Sequence, residues 1–187
     1  MVPVAKPKPW QVLEERRLYE CRVFDVHEIE ARSPRTGDDH TFYGIQAPSW
    51  VNVVPVTAEG QVVMVHQYRH GARDITLETP GGMVDPGESA AVAGARELLE
   101  ETGYAARELV DLGSINPNPA LFGNALHAFL APGAHKVAPV MNDSTEETVV
   151  ALVPISELKE RVSRGEVDHA LVVAVLYLAE LRGLLPG

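Results

Sequence analysis

Glu97, Glu100 and Glu101 lie three and four positions apart in the stretch Arg96-Glu97-Leu98-Leu99-Glu100-Glu101. If that stretch is helical, residues at those spacings share a face, so the three carboxylates project to one side. Arg96 can reach Glu100 at i+4, but one guanidinium cannot neutralise three carboxylates, and the chain already carries a formal net charge of -10. Either the carboxylates are solvated, as on an ordinary Glu-rich helix face, or something positive sits among them. Hard divalent cations such as Mg2+ take carboxylate oxygens and keep waters and substrate phosphates as further ligands. The spacing suits that chemistry.

The elements that must position these groups can be read from local signals. Residues 79–88, Thr-Pro-Gly-Gly-Met-Val-Asp-Pro-Gly-Glu, are dense in Pro and Gly and read as a loop. From Ser89 to Thr102 the pattern becomes helical: Ser89 is an N-cap, strong helix formers follow, and Gly103 stands where a left-handed C-terminal cap belongs. Residues 1–12 carry prolines and lysines and read as an extended arm. Residues 19–30 and 40–47 are strand-like, with a turn between them. The apolar runs 51–56 and 61–67 flank Thr-Ala-Glu-Gly, a hairpin signal, and 75–78 reads as a short strand. Strands are expected at 107–115, 124–131 and 148–153, a short helix ending at Gly165, and a last helix over 168–183. Strands and helices do not alternate regularly, which predicts an α+β layered fold rather than a doubly wound sheet.

Composition excludes several classes. At 187 residues, 45% hydrophobic and 22% charged, the chain is an ordinary globular sequence with enough length for one full core. No apolar run is long enough to span a bilayer, and the N-terminal segment lacks the apolar core of a secretion signal. Cys21 is the single cysteine, so no internal disulfide forms, and a cytoplasmic protein is expected. The acidic balance argues against nucleic-acid binding, which needs a basic footprint. A small anionic substrate would need local positive charge from arginines or bound cations. The seven histidines are scattered without H-x-x-x-H spacing, and neither a nucleophile elbow nor a P-loop is present.

Gly82, five residues, Glu88, seven residues, Arg96-Glu97-Leu98, one residue, Glu100-Glu101, one residue, Gly103 resembles the Nudix box of the Nudix hydrolases. The box usually closes on an aliphatic residue, where this chain has Tyr104. The resemblance implies a mixed β-sheet sandwiched between helices (α/β/α), with the box as loop-helix-loop. It implies hydrolysis of a nucleoside diphosphate linked to another group. It also implies Mg2+ or Mn2+ held by Glu97 and Glu101, with Glu100 as a further ligand or a base, and the Gly81 carbonyl completing the site. Gly82, Glu88, Arg96 and Gly103 take structural roles, Arg96 and Glu88 by holding loop and helix together. The physics agrees: metal ions neutralise a diphosphate, orient it and acidify a bound water, whose proton a carboxylate can take.

The flanks resemble the ADP-ribose pyrophosphatase and nucleoside-diphosphate-sugar hydrolase branch, over roughly residues 50 to 180. Before the box, Gln67-Tyr68-Arg69 and Glu78-Thr79-Pro80-Gly81-Gly82 are similar to that branch's Gln-aromatic-Arg and Glu-Leu-Pro-Ala-Gly segments, with Thr79 and Gly81 departing from them. After the box, the segment bearing Pro119 is similar to its proline loop. Arg69 is the first candidate for a phosphate or ribose contact, since a guanidinium can grip phosphate bidentately. Arg73 is a second candidate. Trp50 has two readings, a nucleobase-stacking residue or a core or dimer-interface residue, and Phe122 is similarly balanced. In the acidic loop 141–150, the branch places a glutamate that acts as base or extra ligand. Glu146 aligns best and Glu147 next, with Asp143 a third choice. The implied substrate is ADP-ribose or a related nucleotide sugar, and the implied partner is a second copy of the chain. Residues 1–47 would form the dimerisation arm and strands, and 48–187 the hydrolase domain. The alternatives are a nucleoside triphosphate or cap-type pyrophosphohydrolase and a non-catalytic nucleotide-sensing domain.

Overall fold

Alternation along two strands decides how the main layers stack. In β4 (Trp50–Val56), Val51 and Val53 bury themselves in one apolar cluster while Val54 joins another. In β10 (Leu126–Pro132), Phe129 and Ala131 join the first cluster, and Leu126, Ala128 and Leu130 the second. A strand whose side chains alternate between two apolar clusters must be covered on both faces. The helix α1 (Ala90–Thr102) supplies Ala93 and Leu98 to the first cluster. On the other face lie α2 (Leu158–Ser163), preceded by a 3-10 turn at Ile155–Glu157, and α3 (Ala170–Leu181), whose Val172, Val175, Leu176 and Ala179 complete the second. The result is the helix–sheet–helix sandwich that the resemblance implied.

The computed structural model describes residues 6–142 and 144–185. These fall into two units: one runs to Pro48 and includes Asn116–Asn124, the other comprises Ser49–Ile115 and the chain from Ala125 onward.

The first unit is a three-stranded antiparallel sheet, β1 (Gln11–Glu20), β2 (Asp25–Arg32) and β3 (Asp39–Gln46), in sequence order. This corrects the reading of one strand over 19–30. The chain turns at residues 21–24, where the Cys21 N–H donates to the Phe24 carbonyl at 3.1 Å, and β1 occupies most of the chain between the expected arm and that turn. Every residue of β1 is exposed, so there was no buried face for an alternating pattern to announce. Residues 1–5 of the expected arm lie outside the described residues. The Asn116–Asn124 segment docks on β3, with the Ile45 N–H donating to the Leu121 carbonyl at 2.7 Å.

The second unit holds the main sheet, in the order β12 (Thr148–Pro154), β5 (Gln61–Arg69), β4, β10, β9 (Val110–Ile115). The β4–β10 pair is parallel and its neighbours are antiparallel. The expected β4–β5 hairpin exists only at its tip. Gly60 takes the left-handed turn position at φ 76°, but Val56–Val62 is the sole paired register before the strands part. β6 (Asp74–Glu78) then pairs with β5, and β7 (Gly81–Met83) with β4. The segment read as a loop over 79–88 therefore contains a short strand, and the fork between β4 and β5 is filled by the chain leading into the box helix. A two-residue ladder of β8 (Tyr104–Ala105) and β11 (His135–Lys136) closes the helix exit. The described residues contain no helix long and apolar enough to cross a membrane.

Candidate active site

The box helix is built as its local signals require. Ser89 Oγ accepts the Val92 N–H at 3.3 Å, and Gly103 adopts φ 72° with its N–H on the Leu99 carbonyl. Three glycines let the helix press onto the sheet. A Cβ on Gly81 would strike the Val51 carbonyl oxygen, and a Cβ on Gly82 would strike the Glu97 carboxylate. Gly94 faces Val53 and Val51, where a Cβ would stand 3.1 and 3.2 Å from their methyl groups. Backbone and carboxylates can approach this closely only without side chains between them.

The three glutamates share a side of the helix but not an environment. Glu97 and Glu101 are buried, while Glu100 keeps 42% of its side chain exposed. Glu101 Oε2 accepts the Gly81 N–H at 2.9 Å. Arg96 serves the rest: its Nη1 meets Glu97 at 2.9 Å and Glu100 at 3.2 Å, and its Nε and Nη2 meet Glu88. Arg96 Nη2 also donates to the Met83 carbonyl at 3.1 Å. One guanidinium thus joins loop and helix. Burial, and then the charges of Glu146 and Glu100, raise the Glu97 carboxyl despite Arg96. Glu101 is pushed up to about 8, first by burial and then by Glu146 and Glu97, against the Gly81 hydrogen bond and Arg69.

Glu146 is one of the charges that push both helix glutamates up. Its carboxylate accepts a hydrogen bond from the Gln67 side-chain amide on β5. The loop that carries it is tied to the box helix at both ends: the Met141 N–H donates to the Glu100 carbonyl, and Thr148 Oγ1 donates to the Glu101 carbonyl, both at 2.8 Å. Glu146 and Glu147, with Gln67 to His70, line a cleft of ≈ 750 Å3. Asp143 lies outside the described residues.

Arg69 lines this cleft and a second of ≈ 320 Å3 formed with Trp50, Asn52, Glu78, Gly81, Gly82, Met83, His169 and Leu171. The expectation of a free bidentate guanidinium needs correction. Arg69 Nε and Nη2 are both bound to Glu78, each at 2.7 Å, so its fork is already filled. Glu78 is buried, which alone would raise its carboxyl, yet the Arg69 ion pair holds it below its ordinary value. What Arg69 offers a ligand is its remaining Nη1 edge and its charge. Trp50 lines the smaller cleft and also packs against the core, so it is a core contact and a wall of the cleft at once. Arg73 takes the turn between β5 and β6 at φ 58°, exposed, and lines neither cleft. Phe122 belongs to the first unit, bridged to Ile45. Sequence reasoning passed over Gln67 and Glu78 as individual residues. The signal was a polar residue ending an apolar strand run and buried there.

Among the described residues no three His, Cys, Asp or Glu side chains are gathered closely enough to grip an ion as they stand. Glu97 is turned toward Arg96, and Glu101 toward the Gly81 N–H. The donor set still fits a hard divalent cation: carboxylate oxygens, buried, with Glu101 pushed up first by burial and then by neighbouring like charge.

The NUDIX domain family matches residues 48–174 of the chain. The chain is 27% identical over 171 residues to an ADP-ribose pyrophosphatase of Bacillus subtilis, a match covering 90% of this chain and 91% of that protein. It is 30% identical over 172 residues to a methanol dehydrogenase activator of Bacillus methanolicus, covering 90% and 91%. A crystal structure of an ADP compounds hydrolase superposes with a TM-score of 0.83 at 21% identity, over 97% of this chain and 100% of that one, a likeness of fold.

Proposed function

The chain belongs to the NUDIX domain family, and on that premise we propose that it hydrolyses the diphosphate bond of ADP-ribose or a related nucleoside diphosphate sugar. The products are a nucleoside monophosphate and a sugar phosphate. The observation that carries this reading is the pair of buried carboxylates, Glu97 and Glu101, on one side of the box helix, with Glu146 held by Gln67 in the Arg69-lined cleft.

Glu97, Glu100 and Glu101, with the Gly81 carbonyl, are the groups that would hold Mg2+. When bound, a divalent ion would neutralise the diphosphate and acidify a water. The protein's own side chains do the rest. Arg69, anchored by Glu78, presents its Nη1 edge and positive charge to a phosphate without having to be ordered by it. Glu146 takes the proton of the attacking water, with Glu147 the next candidate and Glu100 the third. A water oxygen joins one phosphorus, the bridging P–O bond breaks, and the proton passes to the solution or the leaving phosphate. Trp50, at the wall of the smaller cleft, is placed to pack against the base or sugar.

The test is incubation with ADP-ribose, GDP-mannose and nucleoside triphosphates in Mg2+. AMP from ADP-ribose is expected. Pyrophosphate from a triphosphate with no AMP from ADP-ribose would overturn the substrate class in favour of triphosphate hydrolysis. Glu101→Gln should lose activity by ~100-fold or more with the fold intact. Normal turnover in that variant would remove the metal from the argument.

The reading extends to assembly and location. Trp10, Leu13, Leu18 and Tyr19 are exposed apolar groups on or beside β1, with Trp10 edge-on to Phe42 at 5.1 Å. A second copy of the chain is the proposed cover, giving a homodimer. A monomer by light scattering would contradict it. The free thiol of Cys21 fits the proposed cytoplasmic setting.

A further inference from the structure

We propose that Gln67 is a positioning residue that clamps Glu146 at the cleft beside the box helix. The proposal rests on the diphosphatase reading above and adds the device that aims its proposed base.

Gln67 ends the buried stretch of β5 and is itself only 6% exposed. A buried amide must find partners for both its nitrogen and its oxygen. Its Nε2 donates to Glu146 Oε1. The flipped amide would set two acceptors face to face, so the charge on Glu146 fixes the orientation. That leaves Oε1, which is buried and has no donor among the described residues. Gln67 lines the larger cleft together with Glu146, so the clamp holds the carboxylate at the cleft wall.

The strand beneath the clamp is held from both sides. Gln67 pairs in register with Thr76 on β6 and Thr148 on β12. Thr76 Oγ1 donates to the Gln67 carbonyl at 3.2 Å, and Thr148 is hydrogen-bonded to Glu101 and to Asn142. The loop bearing Glu146 is anchored at Met141 and Thr148, but residues 144–147 between them are exposed. The bond to Gln67 ties that exposed stretch to the rigid sheet. An amide also suits the task chemically. It holds a carboxylate by one hydrogen bond from an uncharged donor, where a guanidinium would neutralise its charge.

The test is Gln67→Met, which keeps length and volume and removes both hydrogen-bonding groups. Amide exchange over residues 144–148 should speed by ~5-fold or more. With ADP-ribose and Mg2+, kcat should fall ~10- to 100-fold while KM changes less than about threefold. In a Glu146→Ala background the same substitution should add less than about twofold to kcat, because Gln67 acts through Glu146. Exchange and kcat both near wild type in Gln67→Met, or fully additive losses in the double variant, would overturn the proposal. If Gln67→Met fails to fold, Gln67→Asn, one methylene short of Glu146, is expected to give the same loop release, and an unchanged loop in it overturns the clamp. Exchange needs no turnover. Inactive wild-type protein whose loop is released by Gln67→Met would overturn the diphosphatase reading and support the clamp.

Discussion

Replacing Glu101 with glutamine should change the pH dependence of stability in ion-free protein. Burial first, and then the charges of Glu146 and Glu97, lift Glu101 to about 8 from an ordinary 4.5. Between those values the folded chain holds a proton that the unfolded chain has released, so stability falls as pH rises. The contribution is whole below 4.5 and gone above about 8. At ~1.4 kcal/mol for each pH unit, the full span corresponds to roughly 3–5 kcal/mol. Glu97, raised for the same leading reason, adds to the slope. Glu78 runs the other way: it is held below its ordinary 4.5, so its contribution is present above that value and is lost as pH falls through the lower one. The Glu78 and Glu101 windows are separate, and the difference between wild type and Glu101→Gln from about pH 5.5 to 8.5 isolates Glu101. Glutamine at position 101 keeps an acceptor for the Gly81 N–H and has no proton to lose. Urea unfolding in EDTA at fixed ionic strength should show wild-type stability dropping by several kcal/mol across that range. The drop in Glu101→Gln should be smaller by ~2 kcal/mol or more. A level or rising wild-type curve, or parallel curves for the two proteins, would refute the claim that burial and like charge govern this carboxyl.

Three further outcomes follow from the same geometry. Mg2+ should raise Tm more at about pH 8 than at about pH 6, because below 8 the ion competes with the Glu101 proton; an equal shift at both, by differential scanning fluorimetry, would contradict it. Gly103→Ala should destabilise the protein by ~2 kcal/mol or more, or a Tm loss of about 4–8 °C, since position 103 has φ 72° and a Cβ there meets the Ala138 carbonyl; calorimetry checks this. Gly82→Ala should leave the circular dichroism spectrum unchanged but cut kcat ~10-fold or more, because its Cβ displaces the movable Glu97 carboxylate rather than backbone.

The box helix was legible because every signal for it is local. Ser89 caps its own helix, Gly103 ends it, and the carboxylates follow from a spacing of three and four. The resemblance likewise pointed to the loop that carries Glu146. What could not be read was set by contacts far apart in sequence. β1 has no buried face, so alternation had nothing to record. The turn at residues 57–60 is a sound hairpin signal, yet β6 and β7 enter between its strands and part them after one pair. That wedge brings Glu78 across from Arg69, nine residues away, and turns a candidate phosphate grip into a filled ion pair. The resemblance put Glu146 first among the loop acids, but its bond to Gln67, across a separation of 79 residues, had no local signal.

The distribution of positive charge explains why an ion belongs in this arrangement. Arg96 is shared among Glu88, Glu97 and Glu100, and Arg69 is committed to Glu78. Neither guanidinium forms an ion pair with Glu101 or Glu146. Glu101 has a backbone N–H and Glu146 a side-chain amide, donors that orient a carboxylate without cancelling its charge. Removing one carboxylate from water beside others is costly unless its charge is neutralised. In ion-free protein that cost shows as the upward push on Glu101; a divalent cation would offset it for Glu101 and its neighbours together. The same arrangement would leave the cation beside the cleft lined by Arg69 and Glu146, where a diphosphate and an attacking water can both reach it. Arg69 and Arg96 are thus committed to the site's own carboxylates, and in the proposed reading the remaining negative charge is what an ion would take.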